Sequence, residues 1–165
     1  MIFIALGSNL PGRFATPEDA LSAAKKLLAG HVRFVSSSRI WLTSPVPASH
    51  QPFYRNAVVG VESGQSPADL LKTLKTIERE LGREEGVKNA ARLIDLDLID
   101  YNGKIMDENF LTLPHPQMHR RKFVLCPLME IAPDWVHPVS GKNIKILLSE
   151  LENTDTAEPI KADEW

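Results

Sequence analysis

Apolar runs and polar interruptions divide this chain into well-separated segments. Residues 2–6, IFIAL, form a short apolar run closed by Gly7-Ser8-Asn9, the pattern of a buried strand and a turn. Thr16-Pro17-Glu18-Asp19 supplies a capping hydroxyl, a proline for the first helical position and acids for the first turn. It predicts a helix that reaches Leu28 or Ala29 and stops at Gly30. Residues 32–43, VRFVSSSRIWLT, predict one long strand, SPVPASHQP a proline-broken loop, and residues 53–62 a further strand. Ser66-Pro67-Ala68-Asp69 repeats the helix-start chemistry, and Leu70, Leu71, Leu74, Ile77 and Leu81 follow at helical spacing up to Gly82. A polar loop, REEGVKNAAR, leads into an apolar strand. Asn102-Gly103 predicts a hairpin turn. Residues 121–131 predict a helix with Pro127 near its start or at a kink, and residues 143–151 a short terminal helix.

The order β-α-β-β-α-β is the ferredoxin-like split arrangement. An α+β fold is expected, with a four-stranded antiparallel sheet and two helices on one face. The additional C-terminal strands and helices would cover the other face, giving three α/β/α layers. Residues 1–152 are expected to form a single domain, and the polar 153–165, NTDTAEPIKADEW, a mobile tail.

One strand is chemically odd. Residues 91–101 read ARLIDLDLIDY, with Asp95 and Asp97 inside an otherwise apolar run. Side chains alternate faces on a strand, so the two carboxylates share a face roughly 6–7 Å apart, while Ile94, Leu96 and Leu98 face a core. At an effective dielectric of about 20 such a pair repels by roughly 2–3 kcal/mol. A divalent cation would relieve this, and Mg²⁺ is typically held by one or two carboxylates with places left for water and phosphate oxygens. A solvated face that happens to carry two acids is the competing explanation, and Asp-x-Asp alone does not decide between them.

The bulk composition narrows the field. A chain of 165 residues, 43% hydrophobic and 24% charged, fits an ordinary soluble domain with a sizeable core. A net charge of -2 gives no reason to expect a nucleic-acid partner. No apolar run has membrane-spanning length, and MIFIALGSN lacks the basic start and full apolar region of a signal peptide. The lone Cys126 sits in an apolar stretch, suits a reducing cytoplasm and is expected in the core.

Three further groups are candidates for chemistry. Arg83, Lys88 and Arg92 precede the Asp strand, and Arg121 and Lys122 follow it. Beside paired carboxylates they suggest a site for a metal-bound polyphosphate, although any single Arg or Lys is more often a surface charge. His115 is clamped between Pro114 and Pro116 and could donate to a phosphate, or equally lie in an exposed loop. Tyr54 and Asn56 share a strand face, where a ring could stack while the amide reads a heterocycle edge. Phe53 faces the opposite side from Tyr54, so one of the two rings should enter the core. Gly7 lacks the neighbours of a phosphate-binding loop and is expected to be a close-packing glycine. No His spacing supports a zinc site.

Taken together, ALGSNL at 5–10, TSPV at 43–46, QPFYRNAV at 51–58, IERELGR at 77–83, RLIDLDLI at 92–99 and LPHPQMHRRKFVLCPLMEIAPDWVHPVSGK at 113–142 resemble the 6-hydroxymethyl-7,8-dihydropterin pyrophosphokinase family of folate biosynthesis. The resemblance implies transfer of the β,γ-pyrophosphoryl unit of ATP to the pterin hydroxymethyl group, with release of AMP. It implies two Mg²⁺ ions on Asp95 and Asp97, pterin contacts at Gly7, Thr43, Val46, Tyr54, Asn56 and Phe123, and nucleotide contacts at Glu78, Arg83, Arg92, His115 and Arg121. Arg92 and His115 would join the two aspartates in the catalytic set. The implied partners are small molecules alone, and the protein is expected to be a cytoplasmic monomer. Many family members carry Arg-Trp-Gly-Pro-Arg before the Asp strand, whereas here Lys88-Asn89-Ala90-Ala91-Arg92 lacks the tryptophan, and Glu85 stands where a second arginine is common. Pro47 replaces a common glycine. These departures are expected to tune the rate and not to abolish it. Two other readings compete: a two-metal nucleotidyl transferase, which would need a basic groove, and a non-catalytic binding domain of the same topology.

Overall fold

The computed structural model describes residues 1–82, 93–152, 155–160 and 165. β1 (Ile2–Ser8) is an interior strand, paired along both edges, and apolar residues occupy both of its faces. Gly7 and Ser8 belong to this strand and not to a following turn. Ile2, Ile4 and Leu6 enter one core cluster, while Phe3 enters a second on the opposite sheet face.

α1 (Pro17–Leu28) starts at Thr16, whose hydroxyl accepts from the Asp19 backbone N–H while the Asp19 carboxylate accepts from the Thr16 backbone N–H. α2 (Pro67–Glu80) starts on Ser66, whose hydroxyl accepts from the Asp69 backbone N–H and donates to the Asp69 carboxylate. Leu21, Ala24 and Leu28 of α1, with Leu70, Leu74 and Ile77 of α2, bury against the first face.

The expected long strand over 32–43 is broken into β2 (Arg33–Ser37) and β3 (Trp41–Thr43). Both pair antiparallel with β4 (Tyr54–Glu62), one after the other along the same edge. The break is chemical: the buried Ser38 hydroxyl accepts the Val58 N–H at 3.0 Å, a bond that a regular ladder would give to backbone. Neither ring expected at 53–54 enters the core, since Phe53 is exposed just before β4 and Tyr54 is half-buried in a cavity.

β5 (Asp95–Tyr101) pairs antiparallel with the other edge of β1. Beyond it, Asn102 and Gly103 make a turn with positive φ at both residues. The expected hairpin is not made with β5: β6 (Met106–Glu108) pairs instead with β7 (Leu111–Leu113) in a small separate sheet. α3 (Lys122–Ile131), which contains Pro127, and α4 (Ile144–Ser149) cover the second sheet face through Val124, Leu125, Leu128, Ile144 and Leu147. Glu130 of α3 accepts from Arg39 and from the Trp41 indole, tying that helix to β3. Cys126 is part-buried rather than a core residue, and burial raises its thiol pKa.

The expectation of a wholly mobile tail fails at residues 157–159. They form β8 (Ala157–Pro159), an edge strand antiparallel to β3. β8 pairs the backbone edge of β3 that β4 does not reach, and Pro159 tolerates an edge position where its missing N–H costs nothing. The sheet order is β5-β1-β4-β3-β8, with β2 alongside β3 on β4.

Candidate active site

Cross-strand register assembles the site. Gly7 lies between Asn56 on β4 and Asp95 on β5, and Ala5 lies between Val58 and Asp97. These side chains share the sheet face that carries α3, because Phe3 and Ala5 pack with the α3 cluster. Ile94, Leu96 and Leu98 are buried on the opposite face, as the alternation requires. Two small residues in the middle of the face thus leave a hollow flanked by an amide and two carboxylates.

That hollow is a cavity of about 200 Å³. Its floor is Ala5 and Gly7, one side carries Asp95 and Asp97, and the other carries Thr43, Tyr54 and Asn56. Arg121, Phe123 and Val124 at the start of α3 form a wall, and the 44–47 segment, including Val46, forms the rim. Asn56 is held firmly, since its Nδ2 donates to the Thr43 hydroxyl at 2.6 Å and both groups are buried. A Cβ at Gly7 would lie 2.6 Å from the Asn56 Oδ1, so this glycine permits the amide its position. Asn9, the residue immediately after β1, donates to Gln51 and to the Pro52 carbonyl and fastens the chain leading into β4. Gln51 also accepts from the Tyr54 hydroxyl at 3.3 Å.

A second cavity of about 250 Å³ adjoins the first at Asp97, which lines both. Its other walls include Leu71 and Lys75 of α2, residues 108–112 around the β6–β7 turn, and His115. The Leu113-Pro114 bond is cis, and the His115 N–H donates to the Ile99 carbonyl at 2.8 Å. His115 thus lines this cavity together with Asp97 and is not in a free loop. Sequence reasoning had not singled out Lys75 or the β6–β7 turn. Lys75 follows one turn of α2 after Leu71, a position legible only once the strand it faces is known.

Charges in the junction perturb one another. Burial, and then the neighbouring Asp95, raise the Asp97 pKa above its ordinary value against the opposing pull of His115, Lys75 and Arg121. Burial lowers the His115 pKa, with Arg121 adding to the effect and Asp97 opposing it. A carboxylate pair in this state is short of positive charge. Two hard oxygen donors on one face suit Mg²⁺, whose other positions go to waters and phosphate oxygens. Among the described residues no three His, Cys, Asp or Glu side chains form a closed metal cage.

Of the remaining expected site residues, Glu78 lines neither cavity. It is buried behind β5, accepting the Leu96 N–H at 2.7 Å and the Lys75 ammonium at 3.1 Å. The backbone it holds therefore lies between Asp95 and Asp97. Arg121 donates to Gln117 and lies over the Phe123 ring, 5.4 Å from its centroid. Arg83 and Arg92, with Lys88 and the other loop departures, lie outside the described residues.

Comparison with known proteins gives a consistent picture. A family model described as 7,8-dihydro-6-hydroxymethylpterin-pyrophosphokinase (HPPK) matches residues 3–133. A 2-amino-4-hydroxy-6-hydroxymethyldihydropteridine pyrophosphokinase of Synechocystis is 39% identical over 151 residues, covering 92% of this chain and 76% of that protein. The folic acid synthesis protein fol1 of Pneumocystis carinii is 36% identical over 93% of this chain, which spans only 20% of that longer protein. Wild-type HPPK-DHPS of Plasmodium falciparum superposes over 90% of this chain and 44% of that one, with a TM-score of 0.68 and 12% identity, a likeness of fold. No helix among the described residues is long and apolar enough to cross a membrane.

Proposed function

The chain belongs to the 7,8-dihydro-6-hydroxymethylpterin-pyrophosphokinase family, and on that premise we propose that it transfers the pyrophosphoryl group of ATP to 6-hydroxymethyl-7,8-dihydropterin in folate biosynthesis. The observation that carries this reading is the meeting of two unlike cavities at Asp97. One is a hollow lined by the Tyr54 and Phe123 rings and the Asn56 amide, suited to a heterocycle. The other sets Lys75 and His115 beside Asp97, donors that with a metal ion on the carboxylate suit a nucleotide polyphosphate.

In this reading Tyr54 and Phe123 stack the pterin, while Asn56 reads its edge with a donor and an acceptor. Thr43 and the backbone near Val46 complete the pocket, and Gly7 leaves room for it. His115, Arg121, Arg83 and Arg92 hold phosphates, Arg121 next to the transferring group. Glu78 supports this side indirectly, by holding Lys75 and the β5 backbone. The hydroxymethyl oxygen attacks the β-phosphorus, the bond from that phosphorus to the α,β-bridging oxygen breaks, AMP departs, and the hydroxyl proton is lost to solvent. Asp95 and Asp97 would hold two Mg²⁺ ions, which when bound supply charge neutralisation for the phosphates and a lower hydroxyl pKa. The chain's contribution is largely placement: cavity walls align the hydroxyl with the β-phosphorus and exclude competing water.

The finer structural reading is a ferredoxin-like core in three layers, supported by the β5-β1-β4-β3 order with helices packed on both faces. Recognition of small molecules and not nucleic acid agrees with the near-neutral charge, and with it goes the reading of a cytoplasmic monomer. The test is chromatography of nucleotides after incubation with ATP, Mg²⁺ and the pterin, beside mixtures lacking one component. AMP formed only in the complete mixture supports the proposal; ADP, or no nucleotide change despite pterin binding, contradicts it.

A further inference from the structure

β8 reaches the wall of the pterin-sized cavity from outside. Its register with β3 pairs Ala157 with Thr43 and Pro159 with Trp41. At one end the Ser44 N–H donates to the Thr156 carbonyl at 3.1 Å, and the Thr156 N–H donates to the Ser44 hydroxyl at 3.1 Å. At the other, the Ile160 N–H donates to the Ile40 carbonyl at 2.8 Å. Trp165 adds an anchor, its indole donating to the Ser38 carbonyl at 2.8 Å where β2 breaks from β3.

Thr43 and Ser44 both line the cavity, and Thr43 holds the Asn56 amide at 2.6 Å. β3 is only three residues long, and β4 supports it on one side alone. A short edge strand of this kind is weakly held by itself. We propose that the 156–160 segment is a positioning element for the heterocycle pocket, holding Thr43 and Ser44, and through Thr43 the reading amide of Asn56. The inference rests on the reading of that cavity as the pterin site. The nucleotide-side cavity has no wall on β3 or β8, so the effect belongs to the pterin alone.

The ladder selects the test. Bonds at the 44–156 and 40–160 pairs place the 42–158 pair in the same hydrogen-bonded phase. Glu158 is exposed, so Glu158→Pro removes the N–H facing Leu42 without touching the core, and Glu158→Ala keeps that N–H. For Glu158→Pro, the pterin Kd and KM should rise by at least roughly 5-fold, the lower end of the usual span of roughly 5- to 150-fold for a coupling between sites, with kcat and the ATP KM unchanged. Glu158→Ala should match wild type. In the wild-type protein, saturating pterin should slow amide exchange over 156–160 together with 43–44, while ATP alone should not, since the coupling is reciprocal.

Unchanged pterin constants in folded Glu158→Pro, pterin and ATP constants weakened in parallel, or no exchange protection over 156–160 would each overturn the inference. Should Glu158→Pro fail to fold, the wild-type exchange experiment decides. Wild-type protein that binds no pterin would overturn the functional reading itself, a result distinct from equal binding by wild type and variant.

Discussion

Replacing Asp97 with asparagine should make the metal-free protein more stable and leave it inactive. The two strand carboxylates share a face at a spacing of roughly 6–7 Å, which at an effective dielectric of about 20 corresponds to roughly 2–3 kcal/mol of repulsion. His115, Lys75 and Arg121 offset part of it, but the Asp97 pKa is still raised, so burial and Asp95 outweigh them. A net gain of about 1–2 kcal/mol for Asp97→Asn is expected, or roughly 3–6 °C in Tm for a chain of this size. The pH dependence carries a definite sign. Well below the ordinary value of 3.8 both folded and unfolded chains hold the proton, and the site costs nothing. As pH rises through 3.8 the unfolded chain releases its proton first, and wild-type stability falls until the shifted folded pKa is passed. The variant should show no such fall from this residue. Thermal unfolding between pH 4 and 7 in EDTA measures this directly, and adding Mg²⁺ with a non-hydrolysable ATP analogue should raise the wild-type Tm but leave the variant unchanged. A variant less stable than wild type in EDTA, or equally stabilised by Mg²⁺ and the analogue, would refute the account of the pair.

Gly7→Ala places a methyl 2.6 Å from the Asn56 Oδ1, so pterin affinity should fall by about tenfold or more at a stability cost of roughly 1–3 kcal/mol, read by fluorescence titration and by melting. Glu78→Ala leaves the buried Leu96 N–H unpaired and should cost roughly 1–3 kcal/mol in urea unfolding, whereas Glu78→Gln keeps an acceptor and should cost less. The folded His115 pKa lies below its ordinary 6.5, so acidification through 6.5 protonates the unfolded chain first and lowers stability; His115→Gln should flatten that limb of a Tm-against-pH curve.

The sequence made the helices legible because their starts are chemical. Thr16-Pro17 and Ser66-Pro67 name their own caps, and both helices begin there. The faces of β5 followed from alternation alone, with Leu96 and Leu98 in the core and the two acids on the other side. The break at Ser38 was not legible, because a serine hydroxyl replaces a ladder bond only once β4 lies beside it. β8 was hidden for a related reason. Ala157-Glu158-Pro159 has no strand-like pattern of its own, and the free edge of β3 recruits it. At the site, the Asn56–Gly7–Asp95 row required the strand register and could not be read from spacing along the chain. Glu78 reads from the resemblance as a nucleotide contact, and the structure adds what no spacing along the chain could give, its bonds to the Leu96 N–H and the Lys75 ammonium.

The central claim is that the pterin hydroxymethyl oxygen attacks the β-phosphorus of ATP. The most direct measurement uses pterin labelled with ¹⁸O in that hydroxyl, incubated with the protein, ATP and Mg²⁺, and read by ³¹P NMR. The account predicts a pterin diphosphate that keeps the label at its carbon–oxygen–phosphorus bridge, formed in step with unlabelled AMP. Label lost to water or carried into AMP, or ADP formed in place of AMP, would contradict it.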